Sequence, residues 1–124
     1  MSLKLWSGIV TEKLDETREF YVRHFGCRVL FDSEWFILLE LGGGELGLLR
    51  PGLPEQHPLF RTPLTAGMWV AIDVDDVDTI HARLQQARVE IVQDVRDEPW
   101  GDRHFVVVDP NGIGVDVVQR RSDG

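Results

Sequence analysis

The side chains that could do chemistry are four histidines, one cysteine and 21 carboxylates. A catalytic site of the zinc type needs about three protein ligands and one open position. Only His104 falls on a predicted strand, whereas the other three histidines fall on predicted helices or in a proline-rich segment. The sequence has no HxH, HExxH or CxxC spacing. A metal site of His104, Asp116 and a glutamate such as Glu45 is conceivable, but histidines at the surface or in hydrogen bonds are the favoured interpretation.

Three further sequence features are better explained by a structural role than by a catalytic or ligand-binding role. Cys27 is the single cysteine, so no disulfide can form within the chain, which suits the reducing cytoplasm. The run Gly42-Gly43-Gly44 lacks a following helix and a Lys-Ser/Thr pair, so we do not expect it to bind phosphate. The aspartates between residues 73 and 78 lack the spacing of an EF-hand loop and favour helix capping.

Composition narrows the range of partners. The chain has 124 residues, 43% hydrophobic and 27% charged, an ordinary globular mix that fits one compact unit or two small intimate modules. Thirteen basic and 21 acidic side chains give a formal net charge of −8. Binding to nucleic acid or to an anionic membrane normally needs a basic surface, so we expect neither partner. No apolar stretch approaches the roughly 20 residues that span a bilayer, and no secretory signal is evident, so we predict a cytoplasmic protein.

Two segments are predicted to be amphipathic helices that position these side chains. The first begins with Asp15 as its N-cap and ends at Gly26, because glycine accepts the left-handed conformation that ends a helix. The second has Asp75 or Asp76 as its N-cap. Its apolar residues are spaced by three and four positions, namely Val77, Ile80, Leu84 and Ala87.

The predicted strands surround these helices. They comprise residues 5–10, 27–31, 35–41, 45–49, 68–74, 90–95, 104–108 and 113–118. The glycine run at 42–44 predicts a hairpin, and Asp109-Pro110-Asn111-Gly112 predicts a type I turn. The predicted order of elements is therefore β-α-β-β-β, repeated once.

The two copies align at a constant offset of 63 positions. This offset relates Trp6 to Trp69 and Leu14 to Val77, and an ordered set of such matches indicates an internal repeat. The stretch from 51 to 65 holds four of the six prolines and predicts an extended linker without regular structure. We therefore predict a single domain over residues 1–124, with one module at 3–50 and a second module at 66–120.

Side chains alternate across a strand, so each predicted strand has two faces. In the strand at 68–74 one face is wholly apolar and should lie under a helix, whereas Trp69 points to the other face. By the same alternation Trp6 and Asp116 project from the face that no helix covers. Gly8 and Ala71 beside the two indoles would leave room above the sheet. The tryptophans either bind a ligand or partner chain there or simply pack the core between the modules.

This combination of elements and motifs resembles the vicinal oxygen chelate superfamily, which includes glyoxalase I, extradiol dioxygenases, fosfomycin-resistance enzymes and bleomycin-resistance proteins. The matching stretches are residues 10–21 with 25–26, 72–78, 99–103, and 109–112 leading to the strand of Asp116. The resemblance covers nearly the whole chain. It implies an α+β fold of tandem βαβββ modules, with curved mixed sheets and one helix per module.

The resemblance also implies where a metal would be bound. Metal-using members have a histidine on the first strand of a module and a glutamate on the last strand. Here Trp6 and Trp69 stand at the two histidine positions, Asp116 stands at a glutamate position, and Gly47 lies near the remaining position. A single carboxylate cannot hold a catalytic divalent ion. The resemblance therefore favours members like the bleomycin-resistance proteins, which sequester a ligand in a cleft between two chains without transforming it.

We therefore predict a homodimer of the antibiotic-binding type that sequesters a small hydrophobic or aromatic molecule. We expect no metal, cofactor or catalytic residue. The acidic surroundings favour a positively charged ligand. The predicted ligand-binding residues are Trp6, Trp69, Asp116, Trp35, Trp100, Arg103 and His104. The alternative is a lyase, isomerase or dioxygenase of the same fold, whose divalent metal would be held by His104, Asp116 and Glu45. A third interpretation is a subunit whose open sheet face serves only dimerisation.

Overall fold

The computed structural model describes residues 2–120. The chain divides into two compact units, of which the first ends at Thr65 and the second begins at Ala66. Each unit contains one helix and one four-stranded mixed sheet. The α+β class and the repeated βαβββ order that the sequence predicts are confirmed.

The first unit builds its sheet in the order β1-β4-β3-β2. Strand β1 runs parallel to β4, and the other neighbours are antiparallel. Its elements are β1 (Ser7–Val10), α1 (Leu14–Phe25), β2 (Arg28–Asp32), β3 (Phe36–Leu41), β4 (Gly44–Leu49) and a short 3₁₀ helix (Pro58–Phe60). Strand β1 begins at Ser7 rather than at residue 5, because its pairing with β4 starts there.

The second unit repeats this topology in the order β5-β8-β7-β6. Strand β5 is parallel to β8, and the remaining pairs are antiparallel. Its elements are β5 (Trp69–Asp73), α2 (Val77–Gln86), β6 (Ile91–Asp97), β7 (Asp102–Val108) and β8 (Gly114–Arg120). Strand β7 begins two residues earlier than predicted, because Asp102 and Arg103 still pair with the end of β8.

The helix ends follow from local hydrogen bonds. Asp76 caps α2, since its Oδ1 accepts a hydrogen bond from the Thr79 backbone N–H at 3.2 Å, and Gly26 ends α1 with a φ of 74°. The prediction that Asp15 caps α1 is wrong. The helix begins one residue before it, and the backbone N–H of Lys13 donates instead to the buried Thr11 hydroxyl at 2.9 Å.

The two predicted turns are confirmed. Gly42 and Gly43 have φ angles of 58° and 88°, which is the type I′ geometry that joins β3 and β4 with a two-residue loop. In the second turn the Gly112 backbone N–H donates to the Asp109 carbonyl oxygen at 3.0 Å. The Asp109 carboxylate also accepts from the backbone N–H of Asn111 and of Ile113, and these bonds compensate for the hydration that the buried carboxylate loses.

Residues 51–65, which end the first unit, depart from the predicted absence of regular structure, since they contain the 3₁₀ helix Pro58–Phe60. Proline at the first position presets φ for a helical turn. The His57 side chain accepts a hydrogen bond from the Leu59 backbone N–H at 3.1 Å and so caps this turn. Near the end of the segment, the Leu64 backbone N–H donates to the carbonyl oxygen of Val10 at 2.8 Å.

Each helix covers one face of its sheet. The fully buried side chains alternate along the strands as expected, and they comprise Ile9, Ile37, Leu39 and Leu48 in the first unit and Phe105, Val107, Val115 and Val117 in the second. Leu14 and Tyr21 from α1, and Val77 and Leu84 from α2, complete the two cores. The intervening strand residues point to the opposite face, which we call the open face of each sheet. No helix among the described residues is both long enough and apolar enough to cross a membrane.

Candidate functional site

Trp6 lies on the open face of the first sheet and is 49% exposed. Its ring rests on Gly47 of β4, because a Cβ atom built on that glycine would lie 2.7 Å from the Trp6 Cζ3 atom. The same Cβ atom would lie 3.0 Å from Cε1 of Phe36. Any side chain at position 47 would therefore push the indole off the strand, and glycine provides its seat.

Four aromatic side chains, Trp6, Phe31, Trp35 and Phe36, form what we call the aromatic cluster. Phe36 is the centre, with ring centroids 6.3 Å from Trp6, 6.1 Å from Phe31 and 5.7 Å from Trp35. The three outer side chains are each about half exposed. The Trp6 and Phe36 rings meet edge to face, whereas Phe31 and Trp35 are tilted against Phe36, and the exposed parts of the outer rings are apolar surface that a ligand could cover.

Phe31 and Phe36 were not among the residues predicted from the sequence. Phe36 pairs with Leu49 at the end of β4, so alternation along β3 could have placed it on the open face. Phe31 was harder to find, because a bulge between Val29 and Phe31 shifts the register of β2 against β3. A bulge of this kind has no clear sequence signal.

In the second unit the equivalent positions carry charge instead of aromatic rings. Asp116 pairs with Ala71 across β8 and β5 as Gly47 pairs with Gly8 across β4 and β1. His104 takes the place of Phe36 by the same comparison, since it pairs with Val118 as Phe36 pairs with Leu49. The repeat thus places an indole seat in one sheet and an ionisable pair in the other.

His104 lies between two carboxylates, and we call Glu98, His104 and Asp116 the carboxylate–histidine triad. His104 Nδ1 lies 2.7 Å from Asp116 Oδ1, and Nε2 lies 2.8 Å from Glu98 Oε2. Because a carboxylate oxygen only accepts hydrogen bonds, both contacts are satisfied together only by a doubly protonated imidazolium. Arg96 completes the group through a contact of 2.7 Å from its Nε to Glu98 Oε2.

The environment of the triad shifts two pKa values. Burial acts to lower the pKa of His104, but hydrogen bonds to Glu98 and Asp116 outweigh it, so the pKa lies above its usual value. Hydrogen bonds from His104 and from Arg96 lower the pKa of Glu98. When His104 is protonated, two cations balance two carboxylates. Asp116 is then a neutralised member of a network rather than a free anion.

Trp69 lies on the open face at the edge strand β5 and is 69% exposed. It pairs with Gly114 of β8, where a Cβ atom would lie 4.0 Å from the Trp69 Cβ atom. This distance is an ordinary contact, so Trp69 has no seat of the kind that Gly47 gives to Trp6. Its indole is a largely solvent-exposed apolar surface.

The structure does not bring Arg103 together with the triad. Arg103 pairs with Gln119, whose side-chain oxygen accepts from the Val77 backbone N–H at the start of α2, so both lie on the helix side of the sheet. Its guanidinium donates to Asp78 at 2.8 and 3.1 Å and to Asp97 at 3.2 Å. The hydrogen bond to Asp78, with that to Asp97, raises the pKa of Arg103. Arg103 therefore joins β7 to α2 and β6.

The remaining predicted residues are placed separately. Trp100 is exposed in the connection between β6 and β7, where its Nε1–H donates to Asp102 at 3.0 Å. Glu45 of β4 forms an ion pair with Lys4. Across residues 2–120, no three histidine, cysteine, aspartate or glutamate side chains are grouped so that they could hold a metal ion.

One protein-family model matches most of this chain. The family model described as the Glyoxalase/Bleomycin resistance protein/Dioxygenase superfamily matches residues 5–117. No curated protein sequence matches.

Solved structures share the fold over nearly their whole length. TioX from Micromonospora sp. ML1 is 26% identical with a TM-score of 0.78, over 95% of this chain and 99% of that one. TnmS3, an antibiotic binding protein from Streptomyces sp. CB03234, is 23% identical with a TM-score of 0.76, over 98% and 99%. Lactoylglutathione lyase from Agrobacterium tumefaciens is 19% identical with a TM-score of 0.77, over 94% and 92%. One fold thus accommodates both a binding protein and an enzyme, and the side chains of the site must decide between them.

Proposed function

We propose that this chain, which belongs to the glyoxalase, bleomycin resistance protein and dioxygenase superfamily, sequesters a small aromatic molecule without transforming it. The observation that carries the proposal is the aromatic cluster around Phe36, in which Gly47 seats the half-exposed ring of Trp6. A glycine that leaves room for a half-exposed indole on an open sheet face favours contact of that ring with a ligand. The antibiotic-binding function of the TnmS3 structure, which has the same fold, agrees with this proposal.

The exposed indole area is large enough to support binding. A tryptophan side chain can bury about 150–250 Å², so a half-exposed indole retains roughly 100 Å² for a ligand to cover. At about 25 cal/mol per Å², covering that area is worth roughly 2 to 3 kcal/mol before the entropic cost of association. Trp6 and Trp35 together would therefore contribute about 5 kcal/mol of gross stabilisation, from which the entropic cost of association is subtracted.

The residues present do not fit a catalytic divalent ion. The family resemblance aligns Trp6 and Trp69 with two ligand positions of metal-using members, and an indole has no donor that binds a metal. His104 already has a carboxylate on each ring nitrogen, and Glu45 is paired with Lys4. We therefore propose that binding is independent of any metal.

We also propose that the protein forms a homodimer. The side chains of Leu3 and Leu5 are almost fully exposed just before Trp6, and two neighbouring apolar side chains in water favour a protein partner. Light scattering on the purified protein tests this arrangement. A monomer at micromolar concentration would contradict it.

A cytoplasmic location is also proposed. The single cysteine supports it, because Cys27 cannot form a disulfide within the chain, as suits a reducing compartment. Burial, with the nearby Glu40 carboxylate, raises the pKa of this thiol to about 11.

The test of ligand binding is calorimetric titration with a panel of planar aromatic compounds. We expect the wild-type protein to bind members of the panel and Trp6→Leu to weaken binding by about tenfold, because about 1.4 kcal/mol of stacking is lost. Phe60→Leu is the matched control, since Phe60 is 50% exposed but lies in the 3₁₀ helix. Equal effects of the two substitutions, or no binding across the panel, would refute the proposal.

The metal-dependent alternative has its own test. Elemental analysis of protein purified without an affinity tag should find no stoichiometric nickel, zinc, manganese or iron. A stoichiometric metal whose removal abolishes activity on a lyase, isomerase or dioxygenase substrate would replace the binding proposal with the enzymatic one.

A further inference from the structure

The connection between β2 and β3 carries two members of the aromatic cluster. Its residues 33–36, which we call the cluster turn, end with Phe36 at the start of β3, and Trp35 lies in the turn rather than on a strand. The Phe36 ring neighbours the other three rings of the cluster, with centroid separations of 5.7–6.3 Å. The placement of the rings therefore depends on the conformation of the cluster turn.

The hydroxyl of Ser33 forms three hydrogen bonds inside this turn. Its Oγ accepts from the backbone N–H of Phe36 at 3.0 Å and from that of Trp35 at 3.3 Å. The same hydroxyl donates to the Phe36 carbonyl oxygen at 2.8 Å, beside the Ser33 backbone N–H at 3.0 Å. Because a serine hydroxyl has one donor and two acceptor lone pairs, its capacity for hydrogen bonds is used completely.

Arg50, which follows β4, binds the carbonyl groups on the other side of the turn. Its backbone N–H donates to the Trp35 carbonyl oxygen at 2.9 Å, and its Nε donates to the Glu34 carbonyl oxygen at 2.6 Å. The N–H and the C=O of both Trp35 and Phe36 are therefore hydrogen-bonded. Since Arg50 contacts only carbonyl groups here, the Trp35 N–H depends on the Ser33 hydroxyl.

A ring on a turn needs such bonds more than a ring on a paired strand. A turn residue that is free to change conformation must be ordered when a ligand binds, and this ordering costs free energy. Serine hydroxyls that bond to nearby backbone groups are a common way of fixing a turn. Ser33 is also partly buried, so water competes less well for these bonds. Its hydroxyl thus orders Trp35 before a ligand arrives.

We propose that Ser33 is a positioning residue of the binding site, whose hydroxyl holds the cluster turn in the conformation that sets Trp35 and Phe36 for contact with a ligand. This inference rests on the proposed function, because the aromatic cluster is the site of that function. It adds a residue that acts only through the two rings.

The test compares Ser33→Ala, which removes the hydroxyl, with Ser33→Thr, which retains it. Ser7→Ala is the matched control, because Ser7 is an exposed serine of β1 outside the cluster turn. Calorimetry with acridine, which is uncharged at pH 8, measures the affinity. Chemical denaturation measures the stability, and emission anisotropy of Trp35 measures the order of its ring in a background whose other three indoles are replaced by phenylalanine.

We expect Ser33→Ala to bind acridine about fivefold more weakly than the wild type, which corresponds to the net contribution of roughly one hydrogen bond. Its Trp35 anisotropy should fall. Ser33→Thr and Ser7→Ala should keep the wild-type anisotropy and bind acridine within about twofold of the wild-type affinity.

Two results would overturn the inference. The first is an equal effect of Ser33→Ala and Ser33→Thr on the affinity, whether both lose it or neither does. The second is a Ser33→Ala protein that is less stable but binds acridine with the wild-type affinity, because the hydroxyl would then stabilise only the hairpin of β2 and β3.

The two kinds of readout separate this inference from the proposed function. Loss of acridine binding in Trp6→Leu, with unchanged binding in Ser33→Ala, would leave the proposed function standing and overturn the inference. A wild-type protein that binds neither acridine nor another planar aromatic compound would refute the proposed function. In that case a lower Trp35 anisotropy in Ser33→Ala alone would still support the placement of the ring by Ser33, and an unchanged anisotropy would refute it.

Discussion

Replacing Gly47 with alanine tests the seat of Trp6 directly. The added Cβ atom would lie 2.7 Å from Trp6 Cζ3, and 3.0 and 3.2 Å from Cε1 and Cζ of Phe36. Carbon atoms in favourable contact are about 3.5–4.0 Å apart, so the closest approach is too short by roughly 1 Å. Strand β4 is paired on both sides, with β1 and β3, so the backbone is held and the rings must move.

The size of the effect follows from which ring can move. Overpacking a well-packed site typically costs about 1–3 kcal/mol. Trp6 is half exposed and can swing toward solvent, so we expect Gly47→Ala to lower the free energy of unfolding by about 1 kcal/mol, at the low end of that range. The indole should leave the sheet as it does so, and binding of aromatic compounds should weaken with it.

Gly8→Ala is the matched control for this substitution. Gly8 pairs with Gly47 across the two strands, but a Cβ atom there would meet only the Gly47 carbonyl oxygen, at an ordinary 3.6 Å. Since glycine weakens a strand interior, alanine at position 8 should be neutral or slightly stabilising.

Two measurements on each variant decide the outcome. Chemical denaturation gives the free energy of unfolding. Tryptophan emission reports the environment of the Trp6 ring, once the other three indoles are replaced by phenylalanine, namely Trp35, Trp69 and Trp100. A red shift and a loss of stability in Gly47→Ala alone are expected. Gly47→Ala and Gly8→Ala behaving alike in both measurements would refute the reasoning about the seat.

Two further predictions concern the second unit. Because the pKa of His104 is raised on folding, His104 stabilises the fold fully below its ordinary pKa of 6.5, and this stabilisation is lost as the pH rises through the folded pKa. The pKa of Glu98 is lowered, so Glu98 stabilises the fold fully above its ordinary pKa of 4.5, and this stabilisation is lost as the pH falls through the folded pKa. The unfolding free energy should therefore decline as the pH is raised above about 6.5 in the wild type but not in His104→Gln, and identical slopes in denaturation series would contradict this. Asp76→Ala should lower the thermal stability by an amount equivalent to about 1 kcal/mol, because the Thr79 N–H loses its acceptor, whereas Asp75→Ala should not; equal effects would argue against the cap.

Much of the fold could be predicted because its signals are local or repeated. The constant offset that relates Trp6 to Trp69 indicates the repeat, and the glycine pair at 42–43 indicates the hairpin turn. The cap of α1 could not be found in the same way. Asp15 is a residue type that often caps helices. The start of α1 uses instead the hydroxyl of Thr11, which is buried just after β1 and accepts from the Lys13 backbone N–H.

The site was predicted less completely than the fold, for physical reasons. Glu98 lies six residues before His104, and only the hairpin between β6 and β7 brings the two together at 2.8 Å. Conversely, Arg103 and His104 are consecutive on a strand, so alternation requires them to point to opposite faces. That rule separates Arg103 from the triad without coordinates, whereas the position of Glu98 depends on an irregular register in β6 that sequence does not reveal.

The most direct test of the central claim is a crystal structure of the protein with the tightest-binding aromatic compound. The account predicts the ring of the compound in van der Waals contact with the indole of Trp6 above Gly47, with no metal ion among its contacts. A metal ion held by His104 and Asp116 at the compound, or a compound bound away from Trp6, would contradict it.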